Sequence, residues 1–346
     1  MALKCGIICA GNWIVDHVYE VDQWPRERDL ARIKNRSISV GGGAANVSSV
    51  LAKLQTGLDI WPMGAVGNDA SGQRIINHCR ERGFPSHLIT TKSFASTART
   101  HVVSVRGQSR THFYEGGASD KLSEEDFRHA ALDMTNARVF YLGYLTLLET
   151  LDRVSTDGSS SSATVLARAK AIGMTTCVDL TSVDRPDYAE IVSAALPHID
   201  YLIINQTEAA LATQTAISDE GFSDEDVEVM ASRLLDGGVH VACIIHSPEK
   251  VLGAVKGGAR IWHQTDTVPE SQIISPLGAG DAFCAALLYA IHQAWELSAA
   301  IELAVRVATA SLNGTDASRG VPALSALIDG RADDLETERY IAEFAQ

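Results

Sequence analysis

Ser275-Pro-Leu-Gly278-Ala279-Gly280-Asp281-Ala-Phe-Cys-Ala-Ala-Leu-Leu288 is the most informative stretch of this chain. Three small residues run into an Asp that opens a nearly all-apolar segment, and a helix apolar all round is a buried one. The first N–H groups of such a helix lack intrahelical acceptors, and the aligned peptide dipoles add partial positive charge there. Small residues let a ligand approach that backbone closely. Gly278, Ala279 and Gly280 therefore read as an anion hole, suited to the charge on a phosphoryl group in flight. Asp281 beside them is placed to accept a proton from an attacking hydroxyl. Asp is also a favoured helix N-cap, and the spacing alone leaves both readings of Asp281 open.

Outward from this segment, short apolar runs alternate with helical patterns. The runs cover residues 5–10, 58–63, 139–142, 175–180, 201–204 and 241–245, and they are hydrophobic on both faces, as in a sheet covered on both sides. Between them Val47, Val50, Leu51 and Leu54 fall at helical spacing, and further helix patterns cover 163–172, 224–235, 282–294 and 298–312. This order predicts an α/β fold with a doubly wound, mostly parallel sheet and helices on both faces. Residues 13–40 and 97–114 break the rhythm. There Thr100, Val102 and Ser104 alternate with His101, Val103 and Val105, which predicts a few antiparallel strands forming a small β-sheet lid. Residues 156–162, Thr-Asp-Gly-Ser-Ser-Ser-Ser, read as a flexible connection.

Two more motifs carry chemistry. In Val40-Gly41-Gly42-Gly43-Ala44-Ala45-Asn46-Val47 a Gly-rich turn feeds a helix, and Asn46 offers donor and acceptor together, as sugar hydroxyls require. The stretch is neither GxGxxG nor a P-loop, and such turns also serve close packing alone. Asn205-Gln-Thr-Glu208 follows the run 201–204, at the carboxyl end of a strand, where doubly wound sheets bind ligands. A Glu there can organise Mg²⁺, directly or through water. The same four residues also read as a plain helix start, with Asn205 or Thr207 as cap and an acidic first turn.

Composition narrows the field. The 346 residues are 46% apolar and 21% charged, enough for one large domain or two modest ones. A net charge of −14 argues against a nucleic-acid surface. No run of 18 apolar residues exists, so no membrane span is expected. The first eleven residues lack a basic n-region and a small-residue cleavage site and read as a buried strand rather than a signal peptide. Cys5, Cys9, Cys79, Cys177, Cys243 and Cys284 show no zinc spacing, and buried free thiols point to a reducing cytosol, hence a cytoplasmic protein.

Together, and in this order, the motifs resemble the ribokinase, or PfkB, family of carbohydrate kinases, from Gly11 to about Pro322. The resemblance implies one α/β nucleotide- and substrate-binding domain (1–12, 41–96 and 115–346) with a lid made by 13–40 and 97–114. It implies ATP-dependent phosphotransfer to a hydroxyl of a sugar or sugar-like molecule, with Asp281 as catalytic base and Gly278, Ala279 and Gly280 as anion hole. Asn205 and Glu208 would support the nucleotide phosphates and Mg²⁺, the metal reaching Glu208 directly or through water. Gly42, Gly43 and Asn46 would bind the sugar, and Asp16, near the end of the first strand, would hold acceptor hydroxyls. Gly64-Ala-Val-Gly67-Asn-Asp69 matches the usual Gly-x-x-Gly-x-Asp turn. A homodimer paired through the lid is a further expectation.

Several positions depart from the family. Ser275-Pro276 stand where Asp-Thr is usual, which removes a carboxylate associated with a monovalent cation and argues against K⁺ activation. Residues 245–250, Ile-His-Ser-Pro-Glu-Lys, replace a Thr-x-Gly-x-x-Gly loop near the nucleotide, and Asp316-Ala317 replaces Gly-Ala. Tyr144 stands where a sugar-binding Glu is usual, and the first Gly-rich signature runs two residues long around Gln55-Thr56. Arg99, Arg106 and Arg110 in the lid offer contacts to an acidic or phosphorylated substrate. Alternatives are a nucleoside kinase of the same fold and a non-catalytic ligand-binding regulator; a dinucleotide oxidoreductase is opposed by the missing GxGxxG. The helix N-terminus is expected to hold Asp281 ionised without raising its pKa.

Overall fold

The computed structural model describes residues 5–105, 110–217, 221–266 and 268–328. Arg106 lies outside them. Thirteen strands are β1 (Gly6–Gly11), β2 (Ile14–Val21), β3 (Ile33–Gly41), β4 (Asp59–Gly67), β5 (Ile89–Lys92), β6 (Arg99–Val105), β7 (Arg110–Glu115), β8 (Val139–Leu145), β9 (Thr175–Leu180), β10 (Tyr201–Asn205), β11 (Ala242–His246), β12 (Lys250–Val255) and β13 (Arg260–Gln264).

Nine of them form one sheet in the order β13-β12-β11-β10-β9-β8-β1-β4-β5. The seven strands from β11 to β5 are parallel, and β12 and β13 turn back antiparallel at one edge. Successive side chains point to opposite faces, and the core divides accordingly. Ile8, Ala10, Phe140, Leu142 and Val178 pack on one face, while Ile7, Cys9, Val139, Tyr141 and Cys177 pack on the other. The helices Ser161–Ala171, Tyr188–Ala195, Gln206–Thr213 and Asp224–Asp236 cover the first face, and Gly43–Lys53, Ala70–Glu81, Ala279–His292 and Leu297–Ser311 cover the second. The chain leaves β1 for β4 on one side and returns through β8 on the other, so the switch point lies between β1 and β8.

The other four strands form the lid, in the order β3-β2-β6-β7. The hairpins β2–β3 and β6–β7 are antiparallel, but β2 and β6 run parallel, which corrects the expectation of antiparallel strands throughout. The cause is the long crossover from β3 to β6, which brings the second hairpin in alongside β2 in the same direction. At the root, fully buried Trp13 donates its indole N–H to Met63 O at 3.1 Å. Asp69 fastens the other root. It caps the helix Ala70–Glu81 through Gly72 N and accepts both the backbone and the hydroxyl hydrogen of Thr97.

All six cysteines are free, five of them buried, and Cys5 is exposed rather than buried because it precedes the covered part of β1. No helix among the described residues is long and apolar enough to cross a membrane.

Across the lid, Ser39, Asp16, Thr100 and Tyr114 share one cross-strand row on one face, and Ile38, His17, His101 and Phe113 share the next row on the opposite face. Ile38 and Phe113 are 46% and 53% exposed. Exposed apolar rows and open strand edges are commonly covered by a partner. Pairing of two lids predicts a dimer mass by light scattering at micromolar concentration, and a monomer mass refutes it.

Candidate active site

The helix Ala279–His292 begins with Gly278 at φ +80°, a left-handed residue. A side chain there would strike Ala317, so the cap needs glycine for both conformation and space. Asp281 is consequently the third residue of the helix rather than its cap, which removes the capping alternative. Its Oδ2 accepts from Asn46 Nδ2 at 2.8 Å and from Tyr144 OH at 3.2 Å. Among the described residues, the N–H groups of Gly280 and Asp281 have no backbone acceptor.

Asp281 is 6% exposed, and burial pushes its carboxyl up to about 6. This corrects the expectation of an unraised pKa: desolvation outweighs the helix dipole and the bonds from Asn46 and Tyr144, and the nearby charge of Asp16 adds to the rise. Asp16 itself is pushed to about 6 by burial, against a hydrogen bond from Thr100. It sits on β2 of the lid, with its carboxylate over Gly41, and not at the end of the first strand as the family pattern suggests. Gly42 caps the helix Gly43–Lys53 at φ +89°. Gly43 is a close-approach position: a Cβ there would lie 2.7 Å from the Tyr144 ring.

Asn205 and Glu208 form a reciprocal capping box. Asn205 Oδ1 accepts from Glu208 N at 2.8 Å, and Glu208 Oε2 accepts from Asn205 N at 2.9 Å. Ser182 donates to the other Glu208 oxygen at 3.0 Å. The helix-start reading is thus realised, yet Glu208 also faces a cleft of ≈ 180 Å³ together with Tyr144, Asp179, His246, Gly280 and Asp281. Burial pushes Glu208 up to about 7.

Asp179 escaped sequence reasoning, and His246 and Arg110 take places that it did not foresee. Asp179, 8% exposed at the end of β9, accepts from Tyr141 OH at 2.7 Å and Tyr144 N at 2.6 Å. The signal was there, a carboxylate inside an apolar strand, where a charge is rarely fully buried without a reason. His246 ends β11, its ring 4.9 Å from that of Phe283, and burial lowers its pKa to about 4. Arg110 reaches from the lid to donate to Ser275 Oγ at 3.1 Å, an oxygen that also accepts from Leu277 N. Asp316 turns back on Ser318 and Arg319, and Ala317 packs under Gly278.

Asp281 and the open N–H end of its helix thus face a cleft at the carboxyl ends of β8, β9, β10 and β11, where parallel sheets of this kind bind ligands. Comparison with known proteins gives the family. Residues 6–324 match the pfkB family carbohydrate kinases, and the chain belongs to that family. It is therefore a carbohydrate kinase, with an alcohol group as acceptor. A deoxyribokinase from Salmonella typhi is 23% identical over 323 residues, 92% of this chain and 96% of its own. A 5-dehydro-2-deoxygluconokinase from Geobacillus thermodenitrificans is 23% identical over 293 residues, 82% of each chain. The fold is similar to that of Arabidopsis thaliana ribokinase complexed with ribose and ATP, with TM-score 0.76 and 20% identity, covering 94% of this chain and 98% of the other.

Ser275 presents a neutral hydroxyl already engaged by a guanidinium, and a fixed cation beside it disfavours a second one. Turnover is expected to be insensitive to K⁺; a several-fold rise on replacing a bulky organic cation with K⁺ contradicts this.

Proposed function

We propose that this chain transfers the γ-phosphoryl of ATP to a hydroxyl of a sugar or sugar-like acceptor, with Asp281 as general base. The observation that carries the reading is the asymmetry of the Asp281 carboxylate. Both protein donors bind Oδ2, and Oδ1 has no hydrogen-bond partner among the described residues. An acceptor hydroxyl bound under the lid, between Asp16 and the turn at Gly42, Gly43 and Asn46, would offer its proton to Oδ1. As its oxygen bonds to phosphorus, the bond from phosphorus to the bridging oxygen breaks, ADP leaves, and Asp281 keeps the proton. The transferred group would lie against the helix start formed by Gly278, Ala279, Gly280 and Asp281, where fixed dipoles stabilise its charge. A carboxyl near 6 is ionised at neutral pH and still basic enough to take a proton late. The lid would exclude water and so limit idle ATP hydrolysis.

Mg²⁺ fits the donor set in a limited way. No group of three or more His, Cys, Asp or Glu among the described residues could hold a metal alone. Glu208, a buried carboxylate facing the cleft, suits a magnesium ion shared with the nucleotide phosphates and reached through water, with Asn205 beside it. Such an ion would offset phosphate charge. Glu208→Gln should raise the Mg²⁺ needed for half-maximal rate or lower the rate while the fold survives; wild-type behaviour across a Mg²⁺ titration removes this role.

An ADP-release assay over pentoses, hexoses, sugar acids and nucleosides identifies the acceptor, and Asp281→Asn tests the base. General-base assistance is worth roughly 10²–10⁴ in rate, about 3–5 kcal/mol of barrier. Turnover should fall by that order below wild type, and wild-type turnover should itself decline as pH drops through about 6. Because the substitution removes a charge that burial penalises, the melting temperature should hold or rise. Normal turnover in folded Asp281→Asn refutes the mechanism.

A further inference from the structure

Tyr144 has a backbone that a bulky side chain rarely adopts. Its φ is +59°, Thr146 follows at φ +87°, and the β8–β9 ladder shifts register between Leu142 and Leu145. Left-handed geometry at non-glycine residues persists only where the surroundings over-determine it. The determinant here is Asp179. Its Oδ1 accepts the Tyr144 N–H at 2.6 Å, and its Oδ2 is held by Tyr141 OH at 2.7 Å. The bend lays the phenol ring on Gly43 and brings the hydroxyl to 3.2 Å from Asp281 Oδ2, beside the amide of Asn46.

We infer that Tyr144 is a positioning residue for Asp281, set in place by Asp179, which clamps Oδ2 and turns Oδ1 toward the acceptor hydroxyl. The inference rests on the reading of Asp281 as base. Two donors on one oxygen block rotation of the carboxylate, and both favour its charged form over the acid. That help is needed, because burial and the charge of Asp16 on β2 oppose its ionisation, while Asp179 on β9 and Glu208 on the helix after β10 are raised further still and stay neutral where Asp281 titrates. The remaining titratable neighbours are His246 at the end of β11, Tyr141 on β8 and Cys284 one turn along the same helix, and burial favours the neutral form of each. Burial, the charge of Asp281 and that of Glu208 raise the pKa of Asp179 well above the ordinary carboxylate value. Its Oδ1 accepts the Tyr144 N–H whether the group is charged or neutral, so the anchor does not depend on ionisation.

The test is a ¹³C-carboxyl NMR titration of the whole protein without ligands, with the Asp281 signal assigned by its loss in Asp281→Asn. Tyr144→Phe keeps the ring on Gly43 and removes only the hydroxyl. Its Asp281 midpoint should move up from about 6 by about half to one pH unit. With MgATP and the acceptor found by ADP release, the same variant should lose turnover at pH 8, where Asp281 is ionised in both proteins and only its orientation differs, and a further factor of about twofold to fivefold at pH 6. Asp179→Asn keeps an oxygen acceptor for Tyr144 N and should titrate like wild type, whereas Asp179→Ala should follow Tyr144→Phe. An unmoved midpoint in Tyr144→Phe overturns the inference, as does Asp179→Asn behaving like a folded Asp179→Ala. Failure of the base reading would look different: Asp281→Asn would keep its turnover whatever Tyr144 does to the carboxyl midpoint.

Discussion

A single carboxylate oxygen joins three remote parts of this chain. Asp281 Oδ2 takes one hydrogen bond from Asn46, 235 positions upstream, and one from Tyr144, 137 positions upstream. Each partner arrives by a different local device. Asn46 stands in the first turn of a helix started by left-handed Gly42, Tyr144 on a bend pinned by a buried acid, and Asp281 in the first turn of a helix started by left-handed Gly278. Parallel strands make the meeting possible, because β1, β8, β9, β10 and β11 all end at the same edge of the sheet. The site therefore forms only when the long-range pairing of the sheet is complete, and its geometry is a property of the whole fold.

Much of that fold was legible because buried parallel strands are apolar on both faces. The run 175–180 matches β9, the run 201–204 stops one residue short of the end of β10, and the run 241–245 is displaced by one residue from β11. What escaped was what burial does not mark. β5 is four residues long, and β13 has exposed ends and a half-buried middle, so neither shows a continuous apolar run. Alternation in the lid revealed strands but not their direction, since a two-residue period is the same in parallel and antiparallel pairs.

The site was legible where glycines announce it and obscure where side chains are steered by tertiary contacts. Gly278-Ala279-Gly280-Asp281 and Gly41-Gly42-Gly43 locate two helix starts that the hydrogen bond from Asn46 to Asp281 joins. Membership of the carbohydrate kinases follows from the whole chain rather than from these motifs alone. The local signal near Tyr144 misleads: Gly143 precedes it, yet the positive φ falls on Tyr144 and Thr146, and Asp179 on the neighbouring strand captures the Tyr144 N–H. The rise in the Asp281 pKa was likewise invisible, because it comes from burial in the folded chain and from the charge of Asp16, 265 positions away in sequence.

The crowd of buried acids has a cost outside catalysis. Asp16, Asp152 and Asp281 are each pushed to about 6 and Glu208 to about 7, all by desolvation first. Between their ordinary values near 4 and these raised ones, the folded chain binds more protons than the unfolded chain does. Folding in that window is accompanied by proton uptake, and the stability these groups lend in acid is lost as pH rises toward neutrality. The protein thus carries its site as an electrostatic load: the pH that leaves its carboxylates ready to act is the pH at which they hold the fold together least.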